Sequence, residues 1–192
     1  MRADARRNSE RLVAAARAAF TENGADAPLD DVARRAGVGP GTLYRHFPTR
    51  QALLAAVYRS DVERLSAEAD DALRTLAPPD ALAAWLRHLM DYAKQKRGLG
   101  SAMKAMLADD AETSEYCRRT LYTASEAVLF AAREAGAVRP DVDAQDVMRL
   151  VHGLGTAVES APELADRLLG IVLDGLRPQP DRPPPRDHAL PP

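Results

Sequence analysis

The chain has 192 residues, of which 46% are hydrophobic and 28% charged, a composition typical of a folded protein with one or two small domains. Charge is uneven: residues 1–60 hold ten Arg and six acidic residues, whereas residues 61–177 hold fourteen basic and twenty acidic residues. This distribution indicates a polyanion contact at one end only. The single cysteine, Cys117, excludes an intramolecular disulfide and a Cys-rich zinc site. With no apolar run near the roughly 18 residues of a membrane span and no signal-peptide pattern, we expect a cytoplasmic protein without a membrane partner.

The N-terminal elements are predicted as short helices, because Ala, Leu, Arg and Glu dominate and Gly or Pro recurs at intervals. Gly24 is expected to end the first helix in a left-handed conformation, and Gly37 to Gly39 form a tight turn. Pro40 suits the first position of a helix. The predicted helices are Ser9–Asn23, Asp30–Ala36, Pro40–Phe47 and a long one over Arg50–Leu76, which Thr49 caps.

The rest of the chain is also predicted to be helical up to a proline-rich tail. The expected helices cover residues 80–97, 101–108, 112–135, 143–160 and 163–177. Residues 178–192 contain seven of the fourteen prolines and too few apolar side chains to fold, so disorder is expected there. The fold class is all-α.

Two short helices joined by a glycine turn are typical of a helix-turn-helix, whose second helix enters the DNA major groove. The string VARRAGVGPGTLYRHFPTRQALL at residues 32–54 is more specific. It closely resembles the DNA-binding segment of the TetR family of bacterial transcription regulators, and the resemblance covers about residues 8–57. It implies a three-helix DNA-binding domain followed by a helical domain that binds a ligand and dimerises.

The resemblance also implies roles for individual residues. Backbone phosphates are contacted by hydroxyl, imidazole and guanidinium groups, here Thr42, Tyr44, His46 and Arg50. Gly39, Pro40 and Gly41 occupy the positions nearest the base edges, but they have no side chain that pairs with a base. The candidate base contacts are Arg45 to a guanine and Thr42 to a thymine methyl. DNA shape is the candidate readout for the remaining base pairs. The arginines among residues 2–11 form either an arm over the DNA backbone or a solvated end.

The acidic body is the expected sensor and dimer region. It contains more large apolar side chains than a few covering helices need, and an enclosed pocket for a mostly apolar effector is predicted. Its candidate lining residues are Trp85, Leu89, Met103, Met106, Tyr116 and Tyr122, although each one alone is as readily explained as ordinary core. Apolar residues at helical spacing within 143–177 predict a homodimer interface.

The sequence thus predicts a DNA-binding domain at 1–47, a regulatory domain at 48–177 and a tail at 178–192. We expect a dimeric repressor of a double-stranded palindromic operator, released by an unidentified small molecule. Two alternatives remain open: a non-switching dimeric activator or architectural protein, and a helical small-molecule-binding module. Scattered histidines and the lack of a phosphate loop or nucleophile elbow argue against an enzyme, and no metal or cofactor is expected.

Overall fold

The computed structural model describes residues 2–95, 108–158 and 161–178, and within them it contains helices and turns but no strand. The helices lie close to their predicted positions. They are α1 (Arg2–Asn23), α2 (Leu29–Arg35), α3 (Pro40–His46), α4 (Arg50–Thr75), α5 (Pro78–Gln95), α6 (Ala111–Glu134), α7 (Ala144–Ala157) and α8 (Ala165–Leu176), with a 3₁₀ turn at Pro162–Leu164 before α8. The helix predicted at 101–108 and the tail fall almost entirely outside the described residues.

The first helix begins earlier than the sequence predicts, at Arg2 instead of Ser9. Ion pairs one turn apart support this extension, since Arg7 contacts Asp4 at 2.5 Å and Arg6 contacts Glu10 at 3.5 Å. Such pairs stabilise a helix surface. The basic N-terminal residues therefore continue α1.

Helix boundaries follow local capping chemistry. The Thr49 side chain accepts a hydrogen bond from the Ala52 amide at the start of α4, and Asp110 accepts one from Thr113 at the start of α6. Asp143 and Asp146 form a reciprocal capping box at the start of α7. These side chains satisfy amides that the helix itself leaves without acceptors.

The apolar side chains form two cores, and α4 contributes to both. The head core joins α1, α2 and α3 with the start of α4, including Leu53, Leu54 and Val57. The body core begins at Val62 and joins the rest of α4 with α5 to α8. Tyr58 packs against both cores. The boundary in packing therefore lies inside α4, beyond the end of α3.

Candidate nucleic-acid interface

The turn between α2 and α3 requires a glycine because of its backbone conformation. Gly37 has φ +66°, a left-handed conformation that side chains disfavour, and it closes the α2 C-terminus through its amide to the Arg34 carbonyl at 3.0 Å. A Cβ at this position would also lie 2.5 Å from the Arg11 guanidinium of α1. The turn thus fixes the angle at which α3 leaves α2.

Helix α3 has one buried face and one exposed face. Leu43 and Phe47 are buried in the head core, whereas the polar residues predicted to contact DNA point outward or lie at the margin. Tyr44 is 48% exposed. Gly39, Pro40, Gly41 and Arg45 are exposed, and Thr42 and His46 are partly exposed. These seven residues lie on the exposed part of α3 and of the turn before it.

This surface lies in a stretch of chain without negative charge. No Asp or Glu occurs between Asp31 and Asp61, whereas five arginines do. Two of those arginines, Arg34 and Arg35, bind Asp31, and Arg35 also binds Glu22 of α1 at 2.8 Å. They therefore tie α2 to itself and to α1, which agrees with a structural role for both.

The Arg50 guanidinium already binds protein groups, in the loop between α1 and α2. Its Nη1 donates hydrogen bonds to the carbonyl oxygens of Ala25 and Ala27, at 2.7 and 2.6 Å. The side chain thereby attaches the loop between α1 and α2 to the start of α4. Sequence reasoning did not foresee this contact, because it joins residues more than twenty positions apart.

The predicted effector residues are dispersed in the body. Trp85 and Leu89 are buried, and the indole Nε1 donates to Ser125 Oγ at 3.2 Å. Tyr116 is partly exposed beside α4, where its hydroxyl donates to Glu63 and its ring lies under Arg59. Tyr122 is 38% exposed, and a hydrogen bond to Glu126 raises the pKa of its hydroxyl. Met103 and Met106 lie outside the described residues.

Tyr116 and Tyr122 therefore do not line one common interior space. Six residues along a helix amount to a rotation of about 240°, so their side chains point to different sides of α6. Since Tyr122 faces solvent, its predicted place at a cavity wall has no support in the geometry. The sequence prediction grouped these residues by type and did not use their helical phase.

The sequence analysis did not identify the buried polar cluster of the body, which consists of Tyr58, Tyr92 and Cys117. Cys117 of α6 is buried in the body core, and Tyr58 of α4 and Tyr92 of α5 are partly buried against that core. Burial, and then the Cys117 thiol, raises the pKa of Tyr58 to about 12. Burial is also the main cause that raises the pKa of Tyr92, ahead of Tyr58 and Asp61. Helical phase was the available signal, because Tyr58 follows the buried residues Leu54 and Val57 on the same side of α4.

The predicted dimer segment has an inward and an outward apolar stripe. Val147, Val151 and Leu169 are buried within the chain, whereas Leu150 is 49% and Ile171 is 59% exposed. A Cβ on Gly153 or Gly170 would meet no atom within 4 Å. The outward stripe is therefore accessible on the single chain.

No helix in the described residues is long and apolar enough to cross a membrane.

The head surface and the all-helical body together define a helix-turn-helix DNA-binding regulator. Two parts of the chain match known families: residues 12–57 match the bacterial regulatory proteins of the tetR family, and residues 77–178 match the SbtR-like transcriptional regulator C-terminal domain. The chain belongs to the TetR family and is a transcriptional regulator. The members of this family are regulators and not enzymes.

Individual relatives agree with this assignment. A TetR transcriptional regulator from Streptomyces coelicolor, SCO0520, is 40% identical, with a TM-score of 0.77 over 89% of this chain and 99% of that one. A TetR regulatory protein from Mycobacterium vanbaalenii is 33% identical, with a TM-score of 0.75 over 92% and 99% of the two chains. The transcriptional regulator UidR of Escherichia coli K12 is 26% identical over 170 residues, which cover 86% of this chain and 87% of UidR.

Proposed function

We propose that this regulator is a cytoplasmic homodimeric repressor, which leaves a palindromic operator when a small, mostly apolar effector binds the body. The observation that carries the proposal is the sharing of α4 between two cores, with Tyr58 in contact with both. A ligand that moves α4 in the body necessarily moves side chains that hold the head. The ligand must prefer the DNA-incompetent state by a few kcal/mol to act as an inducer.

A second contact supports transmission from body to head. Arg17 of α1 donates from Nε to Asp61 at 2.5 Å and from Nη2 to Ser60 at 3.0 Å. The Asp61 side chain is only 8% exposed, and its charge influences Tyr92 in the body. A rigid ion pair thus joins the α1 helix to the middle of α4, next to the buried polar cluster.

The buried polar cluster is the proposed place for the polar end of the effector. Effector pockets are mostly apolar and hold a few polar groups that orient the ligand. Tyr58 and Tyr92 supply hydroxyls that can donate and accept hydrogen bonds, and burial raises the pKa of both above the ordinary value for tyrosine. Trp85 and Leu89 belong to the apolar surroundings in the body core. Tyr58 and Tyr92 replace Tyr116 and Tyr122 as the proposed anchors.

Dimerisation is proposed through the outward stripe of α7 and α8. Leu150, Leu164 and Ile171 are large apolar side chains exposed in the single chain, and a second copy would cover them. A two-fold dimer presents two heads to two half-sites, which is the physical reason for a palindromic operator. On each head, Thr42, Tyr44 and His46 are the proposed phosphate contacts, with Arg50 holding the α4 start in place behind them.

The experiment has two steps: selection of bound fragments from the source genome, then a screen of metabolites for release of the selected DNA. We expect one or a few enriched palindromic sites and at least one metabolite that releases them. Tyr92→Phe and Tyr58→Phe should weaken release while operator affinity stays constant. Tyr122→Phe, a surface tyrosine of the same domain, is the matched control and should behave as the wild type.

Two outcomes contradict the proposal in different ways. If DNA is bound at defined sites but no metabolite releases it, the protein is a non-switching regulator. If the control Tyr122→Phe loses release and the buried variants do not, the effector site lies elsewhere in the body.

A further inference from the structure

The N-terminal end of α3 exposes mainly backbone atoms and few side-chain atoms. Gly39 and Gly41 are exposed, Pro40 stands between them, and a Cβ on either glycine would meet no atom within 4 Å. A proline ring and glycines offer a base edge no pair of hydrogen-bond donors. Any side-chain hydrogen bond from α3 to a base must therefore come from a residue at or after Thr42.

Arg45 is held against its own helix in a defined orientation. Its Nε donates to the Gly41 carbonyl at 3.1 Å, and its Nη2 donates to Thr42 Oγ1 at 3.2 Å. These two bonds use the side edge of the planar guanidinium group. The end edge, formed by the remaining hydrogens of Nη1 and Nη2, is left for an external acceptor pair.

The other arginines near this surface already have protein partners. Arg34 and Arg35 bind Asp31, and Arg50 directs Nη1 to two carbonyl oxygens. Arg45 has no carboxylate partner in the part of the chain that the structure describes, and the nearest acidic residues in sequence are Asp31 and Asp61. Its positive charge and its free edge therefore face outward together.

We infer that Arg45 is the base-reading residue of α3, that it binds the N7 and O6 atoms of one guanine in each half-site, and that Thr42 is its positioning residue. A guanidinium edge matches the two guanine acceptors, and no other base presents that pair in the major groove. Prior fixation of the side chain lowers the entropic cost of forming both bonds. This inference rests on the proposed operator function, and it specifies one base pair that the head recognises directly in each half-site.

The test is a selection from random duplex DNA with the full-length protein, followed by affinity measurements on the selected site and on a site with that guanine replaced. The wild type should prefer the guanine about 5- to 100-fold, the range of a bidentate contact. Arg45→Ala should lose most of this preference, whereas Arg45→Lys keeps the charge but not the planar fork and, because an ammonium also donates to guanine O6 and N7, should lose only part of it and keep the salt dependence. Arg34→Ala, at an exposed arginine bound to Asp31, is the control and should keep the preference.

Thr42 is tested by a double-mutant cycle. Thr42→Val removes the acceptor for Nη2 at nearly constant shape and should lower the guanine preference several-fold. In the Arg45→Ala background the same change should not alter the preference at that base further. Thr42→Ser, which keeps the hydroxyl, should restore it. Circular dichroism of each variant checks that the head remains folded.

Three results would overturn the inference. In the first, Arg45→Ala weakens all sequences equally and lowers the salt slope by about one, as a phosphate contact does. In the second, a selected site keeps its guanine preference without Arg45, and the inference fails while the operator function stands. In the third, the wild type enriches no sequence, and both fail.

Discussion

The head and the body of this regulator share α4 but are held together by different means. The head depends on two helices of seven residues each, which are too short to be stable alone. The apolar head core holds them in place, and polar contacts across the chain add to it, among them Arg35 to Glu22 and Arg50 to the Ala25 and Ala27 carbonyls. The body has helices of 12 to 26 residues, and a large apolar core around Trp85 holds them.

This difference matches the tasks of the two regions. A reading head must hold α3 at one fixed angle, and directional bonds to named carbonyl and carboxylate oxygens do that. Apolar packing in the body depends on volume more than on direction, so its interior accommodates different side chains without loss of the fold. The head is therefore built for one geometry, and the body is suited to adapt to a ligand.

The largest expected effect comes from truncating each core. Trp85→Ala should lower the free energy of unfolding by about 3–5 kcal/mol and Leu43→Ala by about 2–5 kcal/mol. Trp85 is the sole tryptophan, so its fluorescence reports on the body alone, whereas circular dichroism reports on both regions. In Leu43→Ala, helicity should fall at lower urea than fluorescence changes. Coincident transitions would show that the shared α4 makes one cooperative unit.

A smaller but selective effect is expected at the outward face of the body. Ile171→Glu would bury a charge in the proposed dimer interface, at a cost of several kcal/mol to association, with little change in monomer stability. Sedimentation should show monomers and weak operator binding. Leu76→Glu, at an apolar residue that is 45% exposed outside α7 and α8, is the control and should remain dimeric. A dimeric Ile171→Glu variant would place the interface elsewhere.

The ion pair between the two regions should have an intermediate effect. Asp61→Asn removes the charge that Arg17 binds and should cost about 1–3 kcal/mol, since hydrogen bonds to charged groups exceed neutral ones. It should also reduce metabolite-induced release of the operator. Glu63→Gln, two residues further on and largely exposed, should cost no more than about 0.5 kcal/mol. Equal effects of both changes would argue against a coupling role for Asp61.

The smallest expected effect is a pH dependence of the stability of the head. The hydrogen bond from Arg35 lowers the pKa of Glu22 below its ordinary 4.5. For Asp31, burial acts to raise the pKa, but bonds from Arg35 and Arg34 outweigh it and lower the value below 3.8. Stabilisation from lowered pKa values is complete above the ordinary values and disappears as pH falls through the folded-state values. Head helicity should therefore decline as pH falls below about 4.5, and the decline should be smaller in Arg35→Gln, which lacks the bonds that lower both pKa values. An unchanged acid transition in that variant would contradict this.

Much of the head could be predicted from the sequence because its signals are local. Gly24 and Gly37 mark left-handed positions, and Thr49 caps the next helix, each within a few residues of the feature it sets. The periodic burial of Leu43 and Phe47 likewise follows from 3.6 residues per turn. The same reasoning placed the described body helices within about two or three residues of their observed ends.

Residue type alone was a poor guide to the interior of the body. Tyr116 and Tyr122 qualified by type as polar anchors, yet they point to different sides of α6, while Tyr58 and Tyr92 are partly buried and pack against the body core from α4 and α5. Which aromatic side chain faces inward depends on which helices pack on either side. That arrangement is a property of the assembled bundle and is not encoded in any short window.

The sequence by itself determined the all-helical class, the limits of the described helices apart from the start of α1, and the outward set on α3, since these depend on backbone geometry and on near neighbours. Only the tertiary structure decided that Arg50 binds the α1–α2 loop and that Arg17 reaches Asp61, 44 positions along the chain. A guanidinium can bind any oxygen within reach of its side chain. Which oxygens lie within reach is decided only when packing brings distant helices together.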